Sequence, residues 1–214
     1  MEGMHKINSE KRYAELDVFR GLAIISVLLF HYTTRYNQIY GHAKMTFDFP
    51  YGYLGVQLFF MLSGFVTYMS MDHMNNGFEF IFKRYSRLFP AYWISILITF
   101  TSVTVFTLPD RQTSLHDVLL NLTMLQDWIG GVKSIDGAYW ALSRFLSFYF
   151  LLFLIHRFNA KSKIVLICFL WLVSIFSVKT MSYLGIEMPD RIKITFLLTE
   201  GGFFIIGIMF YLIE

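Results

Sequence analysis

Charge is scarce in this 214-residue chain: Asp, Glu, Lys and Arg make up only 15% of it, against about a quarter in soluble domains. Hydrophobic residues reach 56% and aromatics 19%. Together these exclude an ordinary soluble domain. Cysteine is nearly absent. Cys168 stands alone within an apolar run, which excludes a disulfide framework and leaves the redox compartment open. A net charge of +3 is too small to suggest nucleic-acid binding. The amino-terminal stretch carries Glu2, Lys6, Glu10, Lys11, Arg12 and Glu15, and no small-residue cleavage site follows the first apolar run. It therefore does not read as a cleavable signal. Nucleophile elbows, phosphate loops and dinucleotide fingerprints are missing, and Leu62-Ser63-Gly64 lacks the elbow's first glycine. Neither His42 nor His116 has an aspartate five positions on, as soluble glycerolipid acyltransferases would. The histidines also lack metal-ligand spacing, so no metal or bound cofactor is expected.

What is present is a series of long apolar runs. A helix needs roughly 20 such residues to cross the hydrocarbon core with every backbone group satisfied internally. Six stretches qualify: Leu16–Tyr32, Tyr53–Met71, Leu88–Phe106, Tyr139–Ile155, Ile164–Val178 and Ile194–Ile213. A weaker stretch, Leu115–Ile129, has an apolar stripe with Asp117, Asn121 and Gln126 off it, and a Ser114/Asp117 capping signal. It reads as an interfacial or re-entrant helix, with a full span as the alternative. The fold expected is thus all-α: a single polytopic transmembrane bundle over residues 1–214. With the amino terminus inside, Lys6, Lys11, Arg12, Lys83, Arg84, Arg87, Arg157, Lys161 and Lys163 fall on the inner side. Arg35, Lys44, Arg111, Lys133, Lys179, Arg191 and Lys193 fall outside, so the balance leans toward a cytoplasmic amino terminus.

Charges within spans are functional candidates because the bilayer makes them costly. Arg20, His31, Arg144 and Glu200 are of this kind. Arg20 and His31 are eleven residues apart, close to three full turns, so they share a helix face with an offset of roughly 16 Å along the axis. They mark two depths of one path, or else two ends snorkelling to opposite interfaces. Arg84 and Arg87 lie one turn apart at the inner end of the third span. They can hold phosphate through planar, permanently charged guanidinium forks, or simply anchor to anionic headgroups. Arg144 and Glu200 sit at matching depths in the fourth and sixth spans, where an ion pair would remove two unpaired charges; interfacial water is the alternative.

Several motifs resemble those of the membrane-bound acyltransferase-3 family. Leu16-Asp17-Val18-Phe19-Arg20-Gly21-Leu22-Ala23, followed by Val27 and His31, is similar to the family's opening signature. Gly55-Val56-Gln57-Leu58-Phe59-Phe60 through Leu62-Ser63-Gly64-Phe65 resembles its second-span run. Arg84-x-x-Arg87 with Pro90-x-Tyr92, and Tyr139-Trp140-Ala141-Leu142-Ser143 with Phe148 and Tyr149, follow in order. The resemblance implies acyl transfer from acyl-CoA, with acetyl-CoA the expected donor, to a hydroxyl of an envelope carbohydrate. It implies a multi-pass protein of the inner or plasma membrane. It also implies His31 as general base, with Arg20, Arg84, Arg87, Asp17 and Tyr149 around the donor.

Three departures stand against a full match. Gln57 replaces a usual acidic residue, and Phe145 replaces the family glutamate. The chain also has fewer spans than its relatives, which leads to the expectation of a carboxy-terminally incomplete domain. A transporter-like or catalytically inactive relative are the alternative readings.

Overall fold

In the computed structural model the described residues are 14–41, 47–74, 76–107 and 112–214. Glu2, Lys6, Glu10, Lys11, Arg12, His42, Lys44 and Arg111 lie outside them. The described residues form helices and connecting turns with no strand, a helical membrane bundle. Helix α1 (Ala14–Phe30) passes through a π turn, His31–Arg35, into α2 (Tyr36–Tyr40), which stops at Gly41 in the left-handed region (φ 62°). Then come α3 (Leu54–Asp72), α4 (Gly77–Val105), α5 (Leu115–Asn121), α6 (Trp140–Arg157), α7 (Ile164–Tyr183), α8 (Asp190–Thr195) and α9 (Gly201–Ile213).

Among the described residues, four segments are long and apolar enough to cross a membrane: Pro50–Asp72, Gly77–Val105, Gly137–Arg157 and Lys161–Tyr183. Their outer faces stay apolar. Helix α7 exposes Val165, Leu166, Phe169, Leu170, Val173 and Phe176, and α4 exposes Ile94, Leu97 and Ile98. Such continuous apolar surface belongs against lipid.

The sixth expected span, Ile194–Ile213, is not one helix. Ile194 and Thr195 end α8, residues 196–200 make a turn with Leu197 at φ +50°, and α9 starts only at Gly201. Glu200 therefore caps a helix rather than lying six residues inside one. The Leu115–Ile129 stripe is likewise helical only to Asn121. Ser114 caps it as its position suggests, accepting from the Asp117 backbone N–H at 3.1 Å. The third span starts well before Leu88, and the fifth reaches Tyr183.

Glycines set the closest approaches. A Cβ on Gly207 would stand 2.0 Å from the Met61 carbonyl oxygen, and one on Gly64 would crowd the Phe204 backbone. Helices α3 and α9 thus touch backbone to backbone, the small-residue packing favoured where no hydrophobic effect drives helix association. Gly55 is pressed against Ala23 in the same way, which seats α1 on α3. Gly207→Leu is expected to abolish accumulation of folded protein, since rigid backbone has nowhere to move; detergent-solubilised yield and monodispersity would show it.

The chain from 122 to 135 is gathered by Asn121, which is fully buried. Its Nδ2 donates to the Asp117 and Lys133 carbonyls (2.8 and 2.9 Å), and its Oδ1 accepts from Ile135 N–H at 3.3 Å. Tyr92 Oη donates to its carbonyl at 2.8 Å. Asn121 is therefore a structural clasp. Asn121→Leu is expected to lower stability by about 2–3 kcal/mol, read as a depressed Tm, because it orphans buried backbone groups.

Candidate functional site

Two polar regions occupy opposite ends of the bundle, and α1 runs between them. At the first, a cavity of about 880 Å³ opens among α1, α3, the start of α6 and the turn before α9. Val27, Phe30, His31 and Arg35 line it from the first helix, and Tyr53, Val56, Gln57 and Phe60 from α3. Asp136, Trp140, Thr199, Glu200 and Phe203 close it.

His31 opens the π turn, and such turns in an α-helix often mark functional positions. Here the distortion is tied down. Thr33 Oγ1 donates to Leu29 O at 2.6 Å and accepts from Phe49 N–H at 3.3 Å, and Thr34 Oγ1 donates to Asp48. The His31 ring meets Phe30 edge-on at 5.6 Å. Among the described residues no carboxylate reaches ion-pair distance of it, so it is free to bond to whatever fills the cavity.

Arg144 and Glu200 come together on the wall. Arg144 Nε donates to Glu200 Oε2 at 3.3 Å, and Nη1 donates to Asp127 Oδ2 at the same distance. All three side chains are largely shielded, at 14%, 21% and 20% exposure. Asp127 also accepts from Ser143 Oγ at 2.7 Å, and Thr199 Oγ1 donates to Glu200. The Arg144 guanidinium lies 5.6 Å from the Trp140 ring centre.

The second region is cationic. Arg84, part-buried on α4, donates to Val66 O at 3.3 Å and lies 5.8 Å from the Phe80 ring centre. Arg20, Arg87 and Tyr149 are all close enough to act on it electrostatically. Arg20 is itself paired with Asp17 at 2.9 Å, one turn earlier. The residues assigned to the donor thus converge from α1, α4 and α6. His31 is not among them; it stands at the other end of α1.

Between the two ends the core is aromatic. Phe60 floors the cavity and packs on Phe145 at 5.3 Å, which in turn meets Phe204 at 5.9 Å and Tyr149 at 6.4 Å. Phe145 is 7% exposed. A carboxylate there would face rings on three sides. Phe145→Glu, which would restore the residue usual at this position in the resembling family, is expected to cost about 3 kcal/mol or more, seen as a lower Tm.

Asp127, Arg35, Asp136 and Trp140 were missed as site residues in the sequence. Arg35 sits four residues after His31, a spacing that could have placed it on the same face. Asp127 comes from an irregular segment, and no periodicity marks it.

Comparison with known proteins follows the same lines. The chain is 27% identical over 130 residues to a candidate peptidoglycan O-acetyltransferase, YrhL, of Bacillus subtilis (strain 168). That match covers 58% of this chain and 19% of the relative. It is 29% identical over 159 residues to a candidate acetyltransferase, ORF330, of Acidianus two-tailed virus, covering 74% of this chain and 44% of that one. The matched regions are therefore less than half of either relative's length. No solved structure matches significantly. The family model described as an acyltransferase domain matches residues 13–214, nearly the whole length, and the chain belongs to the acyltransferase-3 family.

Proposed function

We propose that this chain transfers an acyl group, acetyl in the first instance, from acyl-CoA to a hydroxyl of a cell-surface carbohydrate. The observation that carries the proposal is the placement of His31 and Arg20 on one continuous helix. His31 lines a large cavity that also holds Arg35, Asp136 and Glu200, and Arg20 joins Arg84 and Arg87 at the opposite end. The separation along the axis, roughly 16 Å, suits a long thin pantetheine arm whose phosphates stay with the arginines while its thioester reaches the imidazole.

In this reading the amino terminus is cytoplasmic and the protein lies in the cell membrane. The CoA phosphates take bidentate bonds from Arg84 and Arg87. His31 accepts the proton of the sugar hydroxyl as the oxygen attacks the thioester carbonyl. The tetrahedral intermediate then expels the CoA thiolate, which takes the proton from the imidazolium. The products are an ester and free CoA, and the imidazole returns neutral. Phe145 and its neighbours fill the core between the two ends, so the arm runs along the α1 side of the bundle.

Mass analysis of surface polysaccharide from cells with and without the intact gene tests the proposal. Loss of an ester-linked acyl mass from the glycan is expected; an unchanged glycan profile, with the protein expressed, would sink it. Arg84→Ala should raise the KM for acyl-CoA about tenfold with a smaller fall in kcat, and Arg84→Lys should recover part of the loss.

A further inference from the structure

The His31 cavity has a neighbour. A second cavity of about 390 Å³ is bounded by Asp127, Arg144, Asp190, Lys193 and Ile194, and it shares Trp140, Thr199 and Glu200 with the first. The shared residues are an indole, a hydroxyl and a carboxylate, not a layer of aliphatic side chains. Trp140 is 38% exposed although it is a large aromatic at the start of a buried helix face. We infer that the two cavities are adjoining subsites of one acceptor cleft, and that the acceptor is an uncharged glycan of at least two linked sugars.

The inference rests on the carbohydrate acyltransferase reading above and deepens it. A sugar presents C–H groups on one ring face and hydroxyls around its rim. The negative face of an indole attracts the first, and a wall offering both donors and acceptors satisfies the second. Trp140 stands where the two cavities meet. Carboxylates outnumber fixed cations by one in each cavity, Asp136 and Glu200 against Arg35 in the first and Asp127, Asp190 and Glu200 against Arg144 and Lys193 in the second. Lys193 is itself held by Glu187 at 2.8 Å and Asp190 at 3.3 Å, and the Glu187 contact raises its pKa above the ordinary range. An anionic polymer would need excess cations here. Neither cavity supplies them. Charges of both signs instead suit neutral hydroxyls, which can bond to an ammonium and a carboxylate together.

The test is binding of a neutral sugar series to the full chain in detergent micelles, by calorimetry, with acyl transfer measured in parallel. The probes are N-acetylglucosamine, its β-1,4-linked disaccharide, and a uronic-acid disaccharide of the same length. The neutral disaccharide is expected to bind about tenfold more tightly than the monosaccharide, the equivalent of one or two added hydrogen bonds, and more tightly than the acidic one. Lys193→Ala should narrow the disaccharide-to-monosaccharide ratio. Equal affinity for the two neutral sugars, or preference for the uronic acid, overturns the inference whatever the transfer assay shows. Disaccharide preference without transfer leaves the cleft standing and removes the acyltransferase reading. Absence of binding by every sugar removes both.

Discussion

His31→Ala is expected to cut acyl transfer by about 10²–10⁴-fold, the range a positioned general base supplies. The fall should appear mainly in kcat, because in the proposed mechanism the imidazole acts on the proton of the attacking hydroxyl rather than on donor binding. The donor's phosphates are assigned to Arg84 and Arg87 at the far end of the bundle, so KM for acyl-CoA should change little. Stability should also hold, since His31 is exposed toward a cavity and makes no ion pair among the described residues. The measurement is acyl incorporation into acceptor at matched protein level, with a melting curve on the same sample. Full activity in the alanine variant would remove the catalytic assignment. A neighbouring change separates chemistry from positioning. Thr34→Val breaks the bond to Asp48 that helps hold the π turn but leaves the imidazole in place. A smaller loss of activity than in the alanine variant is expected there, with donor KM again unchanged.

The features that came through in the sequence are those the bilayer enforces. A charge within an apolar span must find a partner, so the matched depths of Arg144 and Glu200 were enough to bring them together on paper. The apolar runs gave the helices because lipid leaves the backbone no other way to satisfy its bonds. Hydropathy fails where the chain bends within a shielded region. Leu197 takes a left-handed backbone conformation in the middle of the apolar run Phe196-Leu197-Leu198. Leucine carries no signal for that, and only packing around residues 196–200 imposes it. The stripe after Leu115 misleads in a related way. Leu122, Leu125 and Ile129 remain exposed beyond the end of α5, so the pattern of outward-facing apolar residues outlasts the helix. Asp127 lies in that irregular segment, and the Arg144 site consequently looked like a pair when it is a three-residue cluster. Phe145 was legible only as a missing carboxylate. Its role as one ring among Phe60, Phe204 and Tyr149 depends on two other helices, α3 and α9, converging on it.

Arg144→Ala is the substitution expected to damage the fold most among the site residues. It leaves Asp127 and Glu200 side by side without the cation that both contact at 3.3 Å. Removing one partner from a shielded ion pair costs about 3–5 kcal/mol, because the remaining charge keeps its desolvation penalty. Here two carboxylates are left, and they repel each other as well. For a chain of this length the loss corresponds to a Tm lower by roughly 6–20 °C. A wild-type melting curve for Arg144→Ala would show that the cluster does not hold the bundle. Adding Glu200→Gln should recover part of the loss, since it removes one of the stranded charges while keeping the shape. The charge swap Arg144→Glu with Glu200→Arg should recover only partly too, because Asp127 is anchored to Ser143 and was placed to meet a cation at position 144. Activity should fall further than stability in the same variants. Arg144 steadies Trp140 and Glu200, and both form the wall between the His31 cavity and its neighbour. A loose wall leaves the acceptor hydroxyl poorly aimed at the imidazole, so kcat should drop even at temperatures where the protein is still folded.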